Sequence, residues 1–149
     1  YRVHDHVEQL AVIAQLVSII EELNAMKDAD GNLLRPVRLV VVDSIAFHFR
    51  ANDQFKDAAQ RSRLLANMAA TLMYLCERFH IAVVLMNQVT FKPNVGLVPA
   101  LGDSWGHQTT TRIFLDHNET TGKRSATIIK SPDNANGTIH YFITTEGIR

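Results

Sequence analysis

The stretch Arg38–Arg50, RLVVVDSIAFHFR, decides the fold because four consecutive apolar residues run directly into an aspartate and a serine. Such a run is typical of a parallel strand covered on both faces, so we predict a strand over Val37–Val42. Ligands of open parallel sheets bind beyond the carboxyl ends of the strands. Asp43 therefore has two interpretations: it is the polar end of a buried strand, or it holds a metal ion against a phosphate.

The residues on either side of this strand predict alternating helices and strands. A helix capped by Asp5 is expected over about Val7–Met26, and a second one where the apolar residues from Leu65 to Phe79 keep helical spacing. Another apolar strand is expected over Ile81–Met86. Strand–helix–strand crossovers are right-handed and place helices on the faces of a sheet, so this order predicts an α/β fold with a parallel central sheet.

The two ends of the chain and one internal stretch complete the expected architecture. Tyr1–Val3 resembles the tail of a strand, so we expect an N-terminal portion of the domain to be missing. Thr90–His107 holds three glycines and two prolines without clear periodicity, and we expect a functional or disordered loop there. Three antiparallel strands are expected to extend the parallel sheet, over about Arg112–His117, Ser125–Lys130 and Thr138–Thr144.

The composition limits the class of protein. The 149 residues carry 15 basic and 15 acidic side chains, so any contact with DNA must come from local clusters. The single cysteine, Cys76, excludes a disulfide framework and is typical of a reducing compartment. No apolar run reaches the length needed to span a membrane, and we expect no membrane partner.

Polar pairs follow both predicted strands of the parallel sheet. Asp43-Ser44 follows the first strand, and Asn87-Gln88 follows the second. Asp43 has the hard oxygen ligands that Mg²⁺ prefers, and Gln88 has an amide that can donate to a phosphate oxygen. The alternative is that both pairs simply cap strands that leave the core.

Four motifs in this order resemble the RecA/RadA strand-exchange ATPases, and especially the eukaryotic recombinase paralogues. They are LVVVDS (39–44), VVLMNQV (83–89), GDSWGHQTTTR (102–112) and IIKSP (128–132). The resemblance implies that 1–149 is the C-terminal portion of one RecA-like ATPase domain, with Asp43 in the Walker B strand at the Mg²⁺ and Ser44 beside it. It implies that Gln88 couples the state of bound ATP to a second DNA-binding loop, at about Val89–Gln108. The first DNA-binding loop would lie at about Phe49–Arg61.

One motif of this family does not occur in the chain, and a second, at residues 130–132, contains a lysine whose role has two interpretations. The phosphate-binding sequence Gly-x-x-x-x-Gly-Lys-Ser/Thr is absent, so the chain holds half of a nucleotide site and is expected to be inactive alone. Lys130, Ser131 and Pro132 resemble the segment that caps ATP bound by the adjacent subunit. Lys130 would stabilise charge on the neighbour's terminal phosphate. Its alternative is an exposed lysine at a strand end.

The resemblance also implies contacts with DNA. The residues expected to contribute are Arg50, Arg61, Lys92, Gly102 and Trp105. A solvated, self-paired loop is the alternative for the two arginines, because Asp53 and Asp57 lie among them. Trp105 would stack on a base or anchor the loop to the core, and both interpretations stay open.

The first predicted helix carries more apolar surface than one core contact requires. In the resembling recombinases this helix receives an aromatic segment of the neighbouring subunit, which implies partner binding at Leu10, Val12, Ala14 and Val17. The alternative is that this face packs under another part of the same chain.

The resemblance implies a recombinase paralogue that binds single-stranded or branched DNA and acts in homologous-recombination repair of DNA double-strand breaks in the nucleus. It would assemble with other paralogues as a hetero-oligomer, with ATP and Mg²⁺ at the subunit interfaces, and hydrolyse ATP when complete. Two alternatives remain: a non-catalytic RecA-fold scaffold, and a RecA-fold motor of the helicase type.

Overall fold

The computed structural model describes residues 1–32, 34, 36–50 and 57–149. The chain divides into two compact units, Tyr1–Trp105 and Gly106–Arg149. The first unit contains, in order, α1 (His6–Ala25), β1 (Leu39–Asp43), a 3₁₀ turn (Phe47–Phe49), α2 (Ala58–Phe79), β2 (Ala82–Met86), β3 (Val89–Lys92) and β4 (Gly96–Pro99). The short helix α3 (Gly102–Gln108) follows, and the boundary between the units falls within it.

The central feature of the first unit is the parallel pair β1–β2. Leu39 lies opposite Ala82, and Asp43 lies opposite Met86, so the two strands end level with each other. The segments that follow Asp43 and Met86 therefore leave the sheet at the same edge. This pair, with its helices, confirms the predicted α/β class.

Helices α1 and α2 cover one face of this pair. The buried core is built from residues of both helices, including Ile20 and Leu75, and half-buried Val40 and Val83 pack against it. The alternate residues of β1 face the other way, since Leu39 and Val41 are 53% and 54% exposed. The prediction that β1 is covered on both faces is therefore wrong for the described residues: burial alternates as in a strand with one packed face.

The second unit is a small antiparallel structure. Strands β5 (Arg112–His117), β6 (Arg124–Lys130) and β7 (Gly137–Tyr141) form a three-stranded sheet in that order. A further pair, β8 (Ile143–Thr144) and β9 (Gly147–Ile148), ends the chain. The predicted strand at 138–144 is thus divided at Phe142, whose N–H donates to the carbonyl of Arg149 over 2.7 Å.

Two stretches differ from their predicted structures. Tyr1–Val3, predicted as a strand tail, is not a strand. The stretch expected to be an aperiodic loop contains the antiparallel hairpin β3–β4 and helix α3. The sequence does not predict this hairpin because each strand has only 4 residues, and β4 contains a glycine and a proline, which are depleted in strands.

No helix in the described part of the chain is both long and apolar enough to cross a membrane.

Helix α1 begins at the predicted cap. The Asp5 carboxylate accepts a hydrogen bond from the Glu8 amide over 2.8 Å, which satisfies one of the four unpaired amides of the first turn. That hydrogen bond is the main cause that lowers the pKa of Asp5 below its ordinary value of 3.8. Because the charged carboxylate is favoured by folding, its stabilisation is present above pH 3.8 and lost as the pH falls through the lower pKa of the folded state.

Replacing Asp5 with alanine is expected to lower the melting temperature at pH 7, because the Glu8 amide loses its acceptor. The difference from wild type should persist to about pH 4 and shrink below it. Thermal unfolding followed by circular dichroism across this range measures it. Asp133→Ala removes an exposed carboxylate outside any helix and serves as the control. A difference between wild type and Asp5→Ala that does not change with pH would contradict the capping role of the charged group.

Candidate functional site

The edge at which β1 and β2 end carries the first polar pair. The Ile45 amide donates to the carbonyl of Met86 over 2.9 Å, so the chain leaving β1 stays attached to the end of β2. Ile45 is completely buried and anchors the segment. The Asp43 carboxylate has no hydrogen bond or ion pair with any described residue, and Asp43 is exposed. The Ser44 Oγ is buried and, among the described residues, also has no partner.

The chemistry of Asp43 and Ser44 fits a hydrated magnesium ion. Buried polar atoms normally have partners, so the unpaired Oγ of Ser44, the residue that follows Asp43, retains hydrogen-bonding capacity for a ligand. In the described residues, no cluster of three or more His, Cys, Asp or Glu side chains forms a metal cage. One carboxylate suits Mg²⁺, which keeps most of its water and is shared with phosphates, better than it suits Ca²⁺ or Zn²⁺.

The second polar pair, Asn87-Gln88, is hydrogen-bonded to the residue that follows the β3–β4 hairpin. Ala100, the residue after β4, donates its amide to the Gln88 carbonyl over 2.7 Å. Its own carbonyl accepts from the Asn87 side-chain amide over 3.0 Å. The Asn87 side-chain oxygen also accepts from the Gln88 amide over 2.9 Å. The amide and the carbonyl of Gln88 are therefore both hydrogen-bonded.

The side chains of Arg50 and Gln88 meet at this edge. The Arg50 guanidinium donates a hydrogen bond to the Gln88 side-chain oxygen across 38 positions of sequence. The sequence predicts separate roles for these residues, in DNA contact and in nucleotide sensing. The structure brings them together.

Lys130 is half-buried at the end of β6, and its ammonium is hydrogen-bonded within the chain. Its ammonium donates to the carbonyl oxygens of Gly106, His107 and Thr109, over 3.2, 3.1 and 2.5 Å. All three of its donors are thus engaged at the C-terminal end of α3, where a cation is favoured by the helix dipole and by backbone carbonyls that accept from it. The interpretation of Lys130 as an exposed lysine at a strand end is wrong. The neighbouring Ser131 Oγ accepts from the amides of Asp133 and Asn134, over 3.3 and 3.1 Å, and shapes the turn that contains Pro132.

The residues predicted to contact DNA are distributed unevenly. Lys92, at the end of β3, and Gly102, at the start of α3, are exposed, and Arg61 is half-buried in the first turn of α2. Much of the predicted first loop, residues 51–56, lies outside the described residues. Trp105 is only 4% exposed and belongs to the apolar core. Its predicted stacking on a base is therefore wrong in this structure, because neither ring face is open, and the core interpretation is the one observed.

The predicted partner surface on α1 is also divided. Leu10 and Val17 pack against the protein's own core, Val12 is half-buried, and Ala14 is exposed. Val7, two helical turns before Ala14 on the same side, is 62% exposed. The outward-facing part of the helix is therefore centred on Ala14, while Leu10 and Val17 are half-buried and face the core.

One residue near the site was missed by the sequence patterns. Gln9 is 2% exposed, and its side-chain amide donates to the Ile45 carbonyl over 3.4 Å, which ties α1 to the segment after Asp43. The signal was available in the sequence: a glutamine that falls on the core-facing side of an amphipathic helix needs a partner.

Removing the Lys130 ammonium is expected to destabilise the end of α3. Lys130→Met keeps much of the apolar stem but removes the ammonium from three carbonyls, of which that of Gly106 still accepts from the Thr109 hydroxyl over 3.2 Å. It should lower the free energy of unfolding by about 1–2 kcal/mol and speed amide hydrogen exchange in 106–109. Lys123→Met, at an exposed lysine in the turn before β6, is the matched control. Equal effects of the two substitutions in urea unfolding would show that the carbonyl contacts contribute nothing.

Comparisons with known proteins show the family of the chain. The chain matches the model of the Rad51 family over residues 7–149. It is 36% identical to DNA repair protein RAD51 homolog 3 of Cricetulus griseus and 38% identical to the protein of that name from Dictyostelium discoideum, each over the whole chain. It is 33% identical, over 89% of its length, to DNA repair and recombination protein RadA of Aeropyrum pernix. The chain spans 37%, 36% and 41% of the lengths of these relatives, respectively. The chain belongs to the Rad51 family, whose domain has the RecA-like fold.

Proposed function

We propose that this chain supplies the C-terminal part of an ATP-dependent, DNA-binding recombinase core that acts in homologous-recombination repair in the nucleus. The observation that carries the proposal is the shared sheet edge, where Asp43-Ser44 and the clamped Gln88 lie at the ends of two level parallel strands. Family membership and the names of the relatives, which are DNA repair proteins, support it.

In this proposal Asp43 and Ser44 hold the magnesium ion of a bound ATP. Asp43 accepts hydrogen bonds from the waters of the ion or binds it directly, and the Ser44 hydroxyl gains the partner that it lacks within the described chain. The ion, when bound, neutralises charge on the phosphates. The phosphate-binding loop is not among these residues, so they contribute half of the site.

Lys130, with Ser131 and Pro132, is proposed to face the nucleotide of a neighbouring subunit. To donate to a phosphate, its ammonium has to exchange at least one of its three carbonyl partners for a phosphate oxygen. Such an exchange would link the neighbour's nucleotide to the end of α3. A non-catalytic scaffold of the same fold is favoured instead if Lys130 keeps all three carbonyls in the assembled protein.

DNA is proposed to approach the hairpin β3–β4 and the start of α3. Lys92 offers a charge there and Gly102 an exposed backbone, with Arg61 contributing from α2. Phosphate contacts of this kind give affinity without reading sequence. Another recombinase paralogue is proposed to dock against α1 around Ala14, where Val7 and Ala14 are exposed apolar residues.

Asp43→Asn in the full-length protein should weaken Mg²⁺-dependent ATP binding about tenfold, because the loss of one charge-assisted contact costs roughly 1.5–3 kcal/mol. Stability without nucleotide should change little, since the carboxylate has no partner in the described chain. Titration calorimetry with and without Mg²⁺ measures the first quantity, and thermal unfolding the second. Asp116→Asn, at an exposed carboxylate of β5, is the control. Unchanged affinity in a folded Asp43→Asn protein would return Asp43 to the strand-cap interpretation.

Ala14→Glu in the full-length protein should abolish co-purification with a partner paralogue. The substituted carboxylate would be desolvated against an apolar partner without a counter-charge. Because Ala14 is exposed, the protein itself should fold with a melting temperature close to that of wild type. Gln15→Glu adds the same charge at the adjacent exposed position of the helix and should keep the partner. Wild-type yield of the complex from a folded Ala14→Glu protein would remove α1 from the interface.

A further inference from the structure

The contact between Arg50 and Gln88 joins two segments that each leave the parallel sheet. Arg50 follows the 3₁₀ turn Phe47–Phe49, and Phe49 is completely buried. The Phe49 amide donates to the Ala46 carbonyl over 3.0 Å, so the backbone that precedes Arg50 is fixed by both packing and hydrogen bonding. The Arg50 side chain therefore starts from a defined point.

Gln88 is held in the complementary way, by its backbone alone. Its amide and carbonyl are engaged by Asn87 and Ala100, which leaves the side-chain torsions to be set by other contacts. Of the described groups, only Arg50 hydrogen-bonds the Gln88 side chain. A glutamine side chain is free to present either its oxygen or its nitrogen to a ligand unless one end is taken.

The chemistry of the guanidinium decides which end is taken. Arginine has five N–H donors and no acceptor, so its partner on Gln88 must be the oxygen. The amide nitrogen, with two N–H donors, is then the end left to donate to another group. A phosphate oxygen is an acceptor, and only this orientation allows Gln88 to donate to it.

We propose that Arg50 is a positioning residue for Gln88: it holds the side-chain oxygen so that the amide nitrogen presents its donors to the terminal phosphate of the nucleotide. The inference rests on the proposed function, and it replaces the simple DNA contact predicted for Arg50. Arg50 also begins the segment predicted as the first DNA-binding loop, and Gln88 precedes the second. The contact therefore links both segments to the state of the nucleotide.

The test uses four variants of the full-length protein: Arg50→Ala, Arg50→Lys, Gln88→Ala and the double alanine variant. The quantity measured is the ratio of DNA dissociation constants with ADP and with a non-hydrolysable ATP analogue. Gln88→Ala should bring the ratio close to one, and Arg50→Ala should reduce it at least about threefold. The double variant should match Gln88→Ala, because residues that act as one unit are not additive.

A second readout separates positioning from direct contact with DNA. Arg50→Lys keeps the charge, so it should retain the salt dependence of DNA binding but not the full ratio. A lysine cannot reproduce the reach and planar geometry of the guanidinium. Arg63→Ala removes an exposed arginine of α2 and is the control for charge alone. The proposal is overturned if the ratio effects of Arg50→Ala and Gln88→Ala multiply. It is also overturned if Arg50→Ala lowers the logarithmic salt slope by about one unit with the ratio unchanged.

A third readout does not depend on DNA or on nucleotide. In protein labelled with ¹⁵N-glutamine, the Gln88 side-chain amide resonances are assigned by their loss in Gln88→Ala. They should shift in Arg50→Ala and stay in place in Arg63→Ala. If wild type shows no nucleotide-dependent DNA binding, the proposed function fails while this measurement still tests the contact. Unshifted resonances in Arg50→Ala overturn the contact itself, whatever the activity.

Discussion

The level pairing of β1 with β2 is the constraint on which the candidate site depends. Asp43 lies opposite Met86, and the next hydrogen bond, from the Ile45 amide to the Met86 carbonyl, continues the attachment past the end of the strand. Two polar pairs that are far apart in sequence therefore emerge side by side. A slip of one residue in either strand would turn its core-facing valine, Val40 or Val83, away from the core. The packing of these side chains against the helices therefore also fixes where the two strands end.

The hairpin β3–β4 converts this edge into a braced site. A chain that simply left β2 would carry Asn87 and Gln88 into solvent with an unrestrained backbone. Because the hairpin brings Ala100 back beside them, two hydrogen bonds to Ala100 hold the pair, in addition to the one between the Gln88 amide and the Asn87 side chain. Phe91 and Leu97, the exposed apolar residues of the hairpin, do not pack in the core and so add little to stability. Their exposure favours a role of the hairpin in binding.

Local patterns predicted the elements, while contacts between distant residues escaped them. Helix α1 with its Asp5 cap, and strands β1 and β2, follow from periodicity and composition, which report burial along one element at a time. The contact between Arg50 and Gln88 depends on β1 and β2 ending level with each other. Local sequence patterns do not predict the register between two strands, so they do not predict this contact. The prediction that Trp105 stacks on a base was wrong for a related reason. Stacking on a base and anchoring a loop to the core both use tryptophan, and only the tertiary packing distinguishes the two.

Lys130 shows how a side chain can be fully hydrogen-bonded and still be electrostatically available. Three backbone carbonyls satisfy its donors, but carbonyls are dipoles and leave its positive charge uncompensated. No carboxylate within the described residues forms an ion pair with it. A field of that kind acts over roughly 8–10 Å at physiological salt, beyond the reach of a hydrogen bond. A phosphate brought within this distance by a neighbouring subunit would be attracted before any carbonyl is released, so the cap on α3 does not prevent the approach that precedes the proposed exchange.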